Sequence, residues 1–399
     1  MRRPLRFGFT TGACAAAAAR GAALMLRDQR RIEAVELSLP AGITVTFALR
    51  GQRYDERFAA CCVIKDAGDD PDVTNGCEVW AEVSLAPPSP QPSPTRGEGE
   101  KRIPPPLMGG GQGEGEIIIT GGAGIGRVTK PGLAVAVGEW AINPVPRQMI
   151  SEAVREVFTD HGSPITDHGS APHSSLLTPH VIISIPDGAE RARRTLNARL
   201  GIVGGLSILG TTGVVTPISH QAWTDTIDAA LGVALAAGCT RVVASTGRSS
   251  EQAAERLLAL PEEAFVLMGD HVGHLAAACA RRGVKELAVA AQFAKLVKIA
   301  CGHPQTHAAV AELDLAALAE WARTAGLDAA LIEKLEWAHT ARELYRELGP
   351  HHPLMALVAG RAIDRLQGWA PGVRCGVLLA GYAGEPAVTF GALFETREP

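Results

Sequence analysis

The chain has 399 residues, of which 46% are hydrophobic and 20% charged, and its net charge is −4. That is enough apolar material for two cores, and it excludes both a disordered chain and the broad basic surface that grips nucleic acid. Aromatic residues make up only 5%, too few for a platform on which bases stack.

The opening MRRPLRFGF carries charge but no apolar run of signal-peptide length, and no later segment is apolar for as long as a membrane span requires. The cytoplasm is therefore the expected compartment. The eight cysteines are scattered without a CxxC pair, which suggests neither a disulfide framework nor a zinc site.

Residues 7–23, FGFTTGACAAAAARGAA, predict a helix over about 13–26 that is entered through a threonine-glycine loop. The first amides of such a helix have no helical partner. Either Thr10 or Thr11 caps them, or Thr10, Thr11 and Gly12 present them to an anion. Cys14 lies at the same entrance, where a helix lowers a thiol pKa, so a cysteine nucleophile served by His271, His274, His303 or His307 is one reading and a small packed cysteine the other.

Residues 32–84 alternate as strands do, in AVELSLP, TVTFALRG, RFAACCVIKDAG and CEVWAEVSL. Between the last two lies VIKDAGDDPDVTNG, which sets Asp66, Asp69, Asp70 and Asp72 beside Lys65. Such a segment is either a loop for a hard cation or a turn whose aspartates bond their own backbone. Residues 86–116 are proline, glycine and glutamate with almost nothing to bury, and are expected to be a disordered insertion.

Order resumes at IIITGGAGIGRVTKPGLAV. Its glycines match a dinucleotide fingerprint poorly, but Arg127 and Lys130 could pair with ligand carboxylates. Pro144 and Pro146 precede an amphipathic helix. The tract of residues 160–180 repeats DHGS and carries His161, His168, His173 and His180, with the composition of a loop.

From Val181 onward strands alternate with helices, as in a parallel sheet with crossovers. VIISIP, LSILG, RVVAST, AFVLMGD, ELAVAA and VRCGVLLAG read as strands. Parallel sheets bind ligands beyond the carboxyl ends of their strands, which draws attention to Gly204, Gly205, Gly210, Thr211, Thr212 and Gly213, and to Thr246 and Asp270 at later strand ends. There is no GK[ST] pair for a nucleotide hydrolase and no acidic residue at the ribose offset of an NAD site.

In order, GFTTGACAAAAA, VIKDAGDDPDVTNG, GGAGIGRVTKPGL, INPVPRQMI, LNARLGIVGGLSILGTTGVV, PEEAFVLMGDHVG and AKLVKIACGHPQTH resemble the CbiD family over nearly the whole chain. The resemblance implies methylation of carbon 1 of cobalt-precorrin-5B by S-adenosyl-L-methionine, giving cobalt-precorrin-6A in anaerobic cobalamin biosynthesis. Cobalt then belongs to the substrate, and no protein metal site is required. His271 and Phe293 depart from the family pattern.

Under this reading residues 1–180 form an α+β domain that binds the tetrapyrrole. Thr10, Thr11, Gly12, Lys65, Arg127 and Lys130 receive its carboxylates, and Asp66 or Asp70 takes a macrocycle proton. Residues 181–399 form an α/β domain with a parallel, Rossmann-like sheet. There Gly204, Gly205, Gly210, Thr211, Thr212, Gly213, Thr246 and Asp270 hold the methyl donor. A homodimer stays open, and no membrane or nucleic-acid partner is expected. A tetrapyrrole carrier without chemistry and a Cys14-dependent hydrolase are the alternatives.

Overall fold

The structure is a computed structural model that describes residues 5–85, 117–159, 178–217, 219–338, 340–382, 385 and 387–394. The expected insertion of residues 86–116, and the histidine tract up to residue 177, lie outside the described residues. Two compact units divide the chain, one of Met1–Thr129 with Ala134–Ile218 and the other of Lys130–Leu133 with Ser219–Pro399.

The first unit contains β1 (Gly8–Phe9), α1 (Thr11–Asp28), β2 (Ala34–Ser38), β3 (Thr44–Ala48), β4 (Arg50–Tyr54), β5 (Phe58–Ile64), β6 (Glu78–Ser84), β7 (Ile118–Gly121), β8 (Arg127–Val128), α2 (Pro144–Thr159), β9 (His180–Ser184), α3 (Gly188–Ala192), β10 (Ile202–Val203) and β11 (Val214–Val215). Its main sheet has the order β4-β5-β6-β9-β7, antiparallel except for the β7–β9 pair. Helix α1 packs on β5 and β6 and also against α2. Its alanines explain how: a helix covered on nearly all sides needs small side chains, and Ala13, Ala15–Ala19, Ala22 and Ala23 are all fully buried. Gly21 goes further, since a Cβ there would stand 2.4 Å from Leu49 Cδ1.

The predicted boundary at residue 180 cuts through this sheet. Strand β9, expected to open the α/β part, lies between β6 and β7, and the chain stays with the first unit as far as residue 218. His180 is correspondingly buried in a strand and not in a loop. Short-range alternation reveals a strand but not the sheet that it joins.

The second unit contains α4 (His220–Ala236), β12 (Arg241–Ser245), α5 (Arg248–Leu257), β13 (Phe265–Leu267), α6 (Val272–Arg281), β14 (Glu286–Ala291), α7 (Phe293–Ala300), α8 (Leu315–Thr324), α9 (Ala329–Trp337), α10 (Ala341–Leu348), α11 (Pro353–Trp369), β15 (Arg374–Leu379) and β16 (Val388–Phe390). The sheet order is β13-β12-β14-β15-β16, with four parallel strands and an antiparallel edge that the sequence did not signal. Past a charged first residue, Arg241, Glu286 or Arg374, strands β12, β14 and β15 are buried and almost wholly apolar, as burial on both faces requires. Ala254 of α5 joins the core on one face with Val243, Ala288 and Leu378, while α6, α7 and α11 contribute to the core on the other. Among the described residues no helix is long and apolar enough to cross a membrane.

Candidate functional site

At the entrance of α1 the threonines serve the fold. Thr10 Oγ1 accepts from the Ala13 amide at 3.2 Å, and its own amide donates to the Gly213 carbonyl at 3.0 Å. Thr11 Oγ1 accepts from the Leu209 amide at 3.0 Å, and the Gly12 amide donates to the Leu209 carbonyl at 3.0 Å. Both threonines are buried. Segment 207–213 thus takes the Thr10 and Gly12 amides and Thr10 itself takes that of Ala13, while the role expected of Thr10, Thr11 and Gly12 toward a substrate carboxylate stays an expectation.

The same contact explains the glycines expected to hold the methyl donor. Gly210 has φ +118°, and a Cβ on it would lie 2.4 Å from the Thr10 side chain. Gly205 presses on Gly124, whose carbonyl oxygen would meet a Gly205 Cβ at 2.2 Å, and Gly213 turns with φ +81° beside Leu39. Gly204 also has positive φ, in open space. Thr211 and Thr212 are exposed, with Thr212 Oγ1 accepting from the Val214 amide at 3.3 Å. LSILG forms only isolated bridges, from Leu206 to Ile125 and from Ile208 to Ile142. This loop belongs to the first unit, not to the carboxyl rim of the parallel sheet.

The acidic segment is organised by cations and amides of the chain itself. Arg6 grips Asp66 with two prongs, Nη2 donating to Oδ1 at 2.9 Å and Nη1 to Oδ2, while the Arg6 amide donates to Asp69 Oδ2 at 2.7 Å. The bonds from Arg6 and from the Gly68 amide hold the Asp66 carboxyl below its ordinary pKa. A proton acceptor working near neutrality is favoured by a shift the other way, so the Arg6 pair suits Asp66 as an anchor of this turn better than as the expected base. The Lys65 side chain, 1% exposed, pairs with Asp72 Oδ2 at 2.5 Å, and Asp72 Oδ1 accepts from both Thr74 amide and hydroxyl at 2.7 Å. Lys65 thus meets a carboxylate of the chain itself. Asp70 is half-buried in the same turn.

Arg127 is exposed, with its guanidinium 3.8 Å above the Trp140 ring and Nη1 donating to the Gly138 carbonyl at 2.6 Å. Lys130 lies in the segment that joins the second unit, where its Nζ pairs with Glu263 at 2.8 Å and Glu262 at 3.5 Å. Cys14 is fully buried, and that burial pushes its thiol up to about 12, which disfavours the thiolate that a nucleophile needs.

In the second unit the chain leaves β12 for β13 on one side and returns to β14 on the other. The sheet therefore reverses its winding between β12 and β14, and ligand crevices open at such points. The end of β12 supplies Ser245, fully buried, whose hydroxyl has no partner among the described residues, and then Thr246, whose amide donates to the Ala290 carbonyl at 3.1 Å. Ser250 Oγ accepts from the Gly247 amide at 3.1 Å and so closes the first turn of α5.

Beyond β13, Asp270 accepts from Thr306 Oγ1 at 2.7 Å and pairs with Lys295. Burial would raise the Asp270 carboxyl, but the bonds from Lys295 and Thr306 outweigh it and hold the group below its ordinary range. His271 stands 5.3 Å from the His220 ring and stacks at 6.5 Å on Trp223. Burial, then His220, lowers its pKa. Phe293, the other departure, is fully buried in the main core and is no part of a ligand rim.

Sequence reasoning missed Lys295 and Lys298. Both lie on α7 three residues apart, hence on one side of the helix, and both donate to the Thr306 carbonyl, at 3.0 and 3.1 Å. The signal was a lysine inside the apolar run LVKIA, where a charge on an outer face has no reason to be flanked by buried residues on both sides.

The family profile CbiD matches residues 1–217, and the profile CbiD, C-terminal domain, matches residues 305–389. A protein of Pelobacter propionicus named cobalt-precorrin-5B C(1)-methyltransferase is 50% identical over 95% of this chain and 95% of its own length. One of the same name from Geotalea daltonii is 50% identical over 97% of this chain and 99% of its own length. The crystal structure of the cobalamin biosynthesis protein (cbiD) from Archaeoglobus fulgidus is 25% identical, covering 81% of this chain and 85% of that one, with a TM-score of 0.36.

Proposed function

The chain belongs to the CbiD family, and from that membership we propose that it transfers a methyl group from S-adenosyl-L-methionine to carbon 1 of cobalt-precorrin-5B. The observation that carries this reading is identity of 50% over almost the entire length of relatives that bear that enzyme name.

The donor supplies a methyl group on a sulfonium, and the departing thioether needs no proton. What the protein must do is hold the ring carbon in line with that methyl group, exclude water and provide a suitable electrostatic surround. We assign the donor to the carboxyl rim of the parallel sheet, a Rossmann-like arrangement in its winding reversal, with Thr246 and Asp270 among its contacts. The orphaned Ser245 hydroxyl fits a polar ligand there, since a buried hydroxyl without a partner is costly. For the tetrapyrrole, Arg127 is the exposed guanidinium suited to a side-chain carboxylate. Asp70 keeps the proposed role of receiving a macrocycle proton.

The test is product formation with purified protein. S-adenosylhomocysteine should accumulate only when cobalt-precorrin-5B is present, one molecule for each tetrapyrrole methylated. A protein that binds the tetrapyrrole, ignores the donor and forms no S-adenosylhomocysteine would be a carrier.

A further inference from the structure

At the rim of the parallel sheet two ammonium groups share one carbonyl acceptor, and one of them pairs with a carboxylate. Asp270 follows β13 and Lys295 opens α7 after β14, so their ion pair links the ends of two strands that have β12 between them. Lys298 lies one turn further along α7. The residue is only 7% exposed, yet its ammonium has a single acceptor among the described residues, the Thr306 carbonyl at 3.1 Å, which Lys295 shares at 3.0 Å. Thr306 is itself fully buried, and its hydroxyl and amide both turn to Asp270.

An ammonium carries three donors and a full charge, and a buried one normally meets an anion. Asp270 cannot balance two cations while it pairs with Lys295. The side chains of Lys295 and Asp270 remain 29% and 23% exposed, so the cluster is reached from solvent at that end. Its position, at the carboxyl ends of parallel strands, is where a ligand would sit.

We infer that Lys298, with Lys295 beside it, forms a binding site for a carboxylate group of one of the two ligands of the methyl transfer. The inference rests on the reading that this rim belongs to a methyltransferase. The carboxylate is either that of the donor's amino-acid end or one carried by the macrocycle. Asp270 orients Lys295 and keeps the site from holding more than one anion.

The test is calorimetric binding to the unmodified protein, Lys298→Met and Lys298→Arg. The ligands are S-adenosylmethionine and its decarboxylated form, and a corrin with free side-chain carboxylates and the same corrin amidated. Lys298→Met should weaken one carboxylated ligand about 10- to 100-fold, the loss expected for one charge-assisted hydrogen bond. It should leave the matching carboxyl-free ligand unaffected, and Lys298→Arg should recover most of the binding. Loss confined to the donor pair assigns the donor, and loss confined to the corrin pair assigns the macrocycle.

Circular dichroism checks that the variants fold, and Lys295→Gln, which keeps Lys298, should weaken the same ligand by a smaller factor. Equal affinities in the unmodified protein and Lys298→Met, or an equal loss for a ligand and its carboxyl-free counterpart, would overturn the site. Binding that depends on Lys298 in a protein that transfers no methyl group would uphold the site and sink the methyltransferase reading instead.

Discussion

Arg6 and Asp66, sixty residues apart, form a two-pronged ion pair that ties the start of the chain to the turn after β5. Both side chains are about half exposed, so the pair is screened and its contribution depends on salt. Asp66 has a folded pKa below its ordinary 3.8. The stability it contributes is therefore complete above that ordinary value and is lost as pH falls through the lowered one. Thermal melting of the parent and Asp66→Asn should differ at neutral pH and converge in acid. Because Asp66 anchors a turn, the variant should keep methyl transfer with an unaltered pH profile near neutrality. A shifted profile would restore Asp66 as a base.

The buried pair of Lys65 and Asp72 makes an asymmetric prediction. Asp72→Ala leaves an ammonium that is 1% exposed without its counter-ion, which should cost about 3–5 kcal/mol in urea unfolding. Lys65→Met leaves a carboxylate that is 25% exposed and still bonded by Thr74, and should cost less than about 2 kcal/mol. Equal costs would mean that the pair does not govern this turn.

The seam between α1 and segment 207–213 should respond in stability to substitutions at its own contacts. Thr11→Val removes the acceptor for the Leu209 amide and should destabilise by about 1–2 kcal/mol. Gly210→Ala demands φ +118° and a close approach to Thr10, and should cost about 1–3 kcal/mol. If Thr11→Val instead weakens tetrapyrrole binding at unchanged melting temperature, the helix entrance is a ligand site after all.

Cys14, buried with its thiol raised to about 12, should resist alkylation in the folded protein and react once urea unfolds it. Cys14→Ala should cost about 1–2 kcal/mol through lost packing and leave turnover largely intact. Abolished turnover in a folded variant would revive the cysteine nucleophile.

The strands and helices between residues 220 and 300 are legible in the sequence because apolar strand runs alternate with helix-period segments and are separated by glycine or polar turns, a purely local pattern. Helix α1 was readable for the same reason, although its entrance was not. Thr-Gly loops look alike whether their amides meet an anion or a distant backbone, and the partner of Thr11 is Leu209, nearly two hundred residues away. The close approach of Gly205 to Gly124 is likewise a long-range contact that local sequence does not reveal. The buried charge of Lys298 escaped notice because exposure is a property of the folded sheet, while a lysine in a helix usually lies outside.

The most direct measurement of the central claim follows the methyl group itself. The purified protein would be incubated with cobalt-precorrin-5B and donor carrying a carbon-13 methyl group, and the product examined by nuclear magnetic resonance. A single labelled methyl on carbon 1 of the macrocycle is the expected result. Label at another ring carbon would contradict the assigned position, and a tetrapyrrole recovered without label would contradict the transfer.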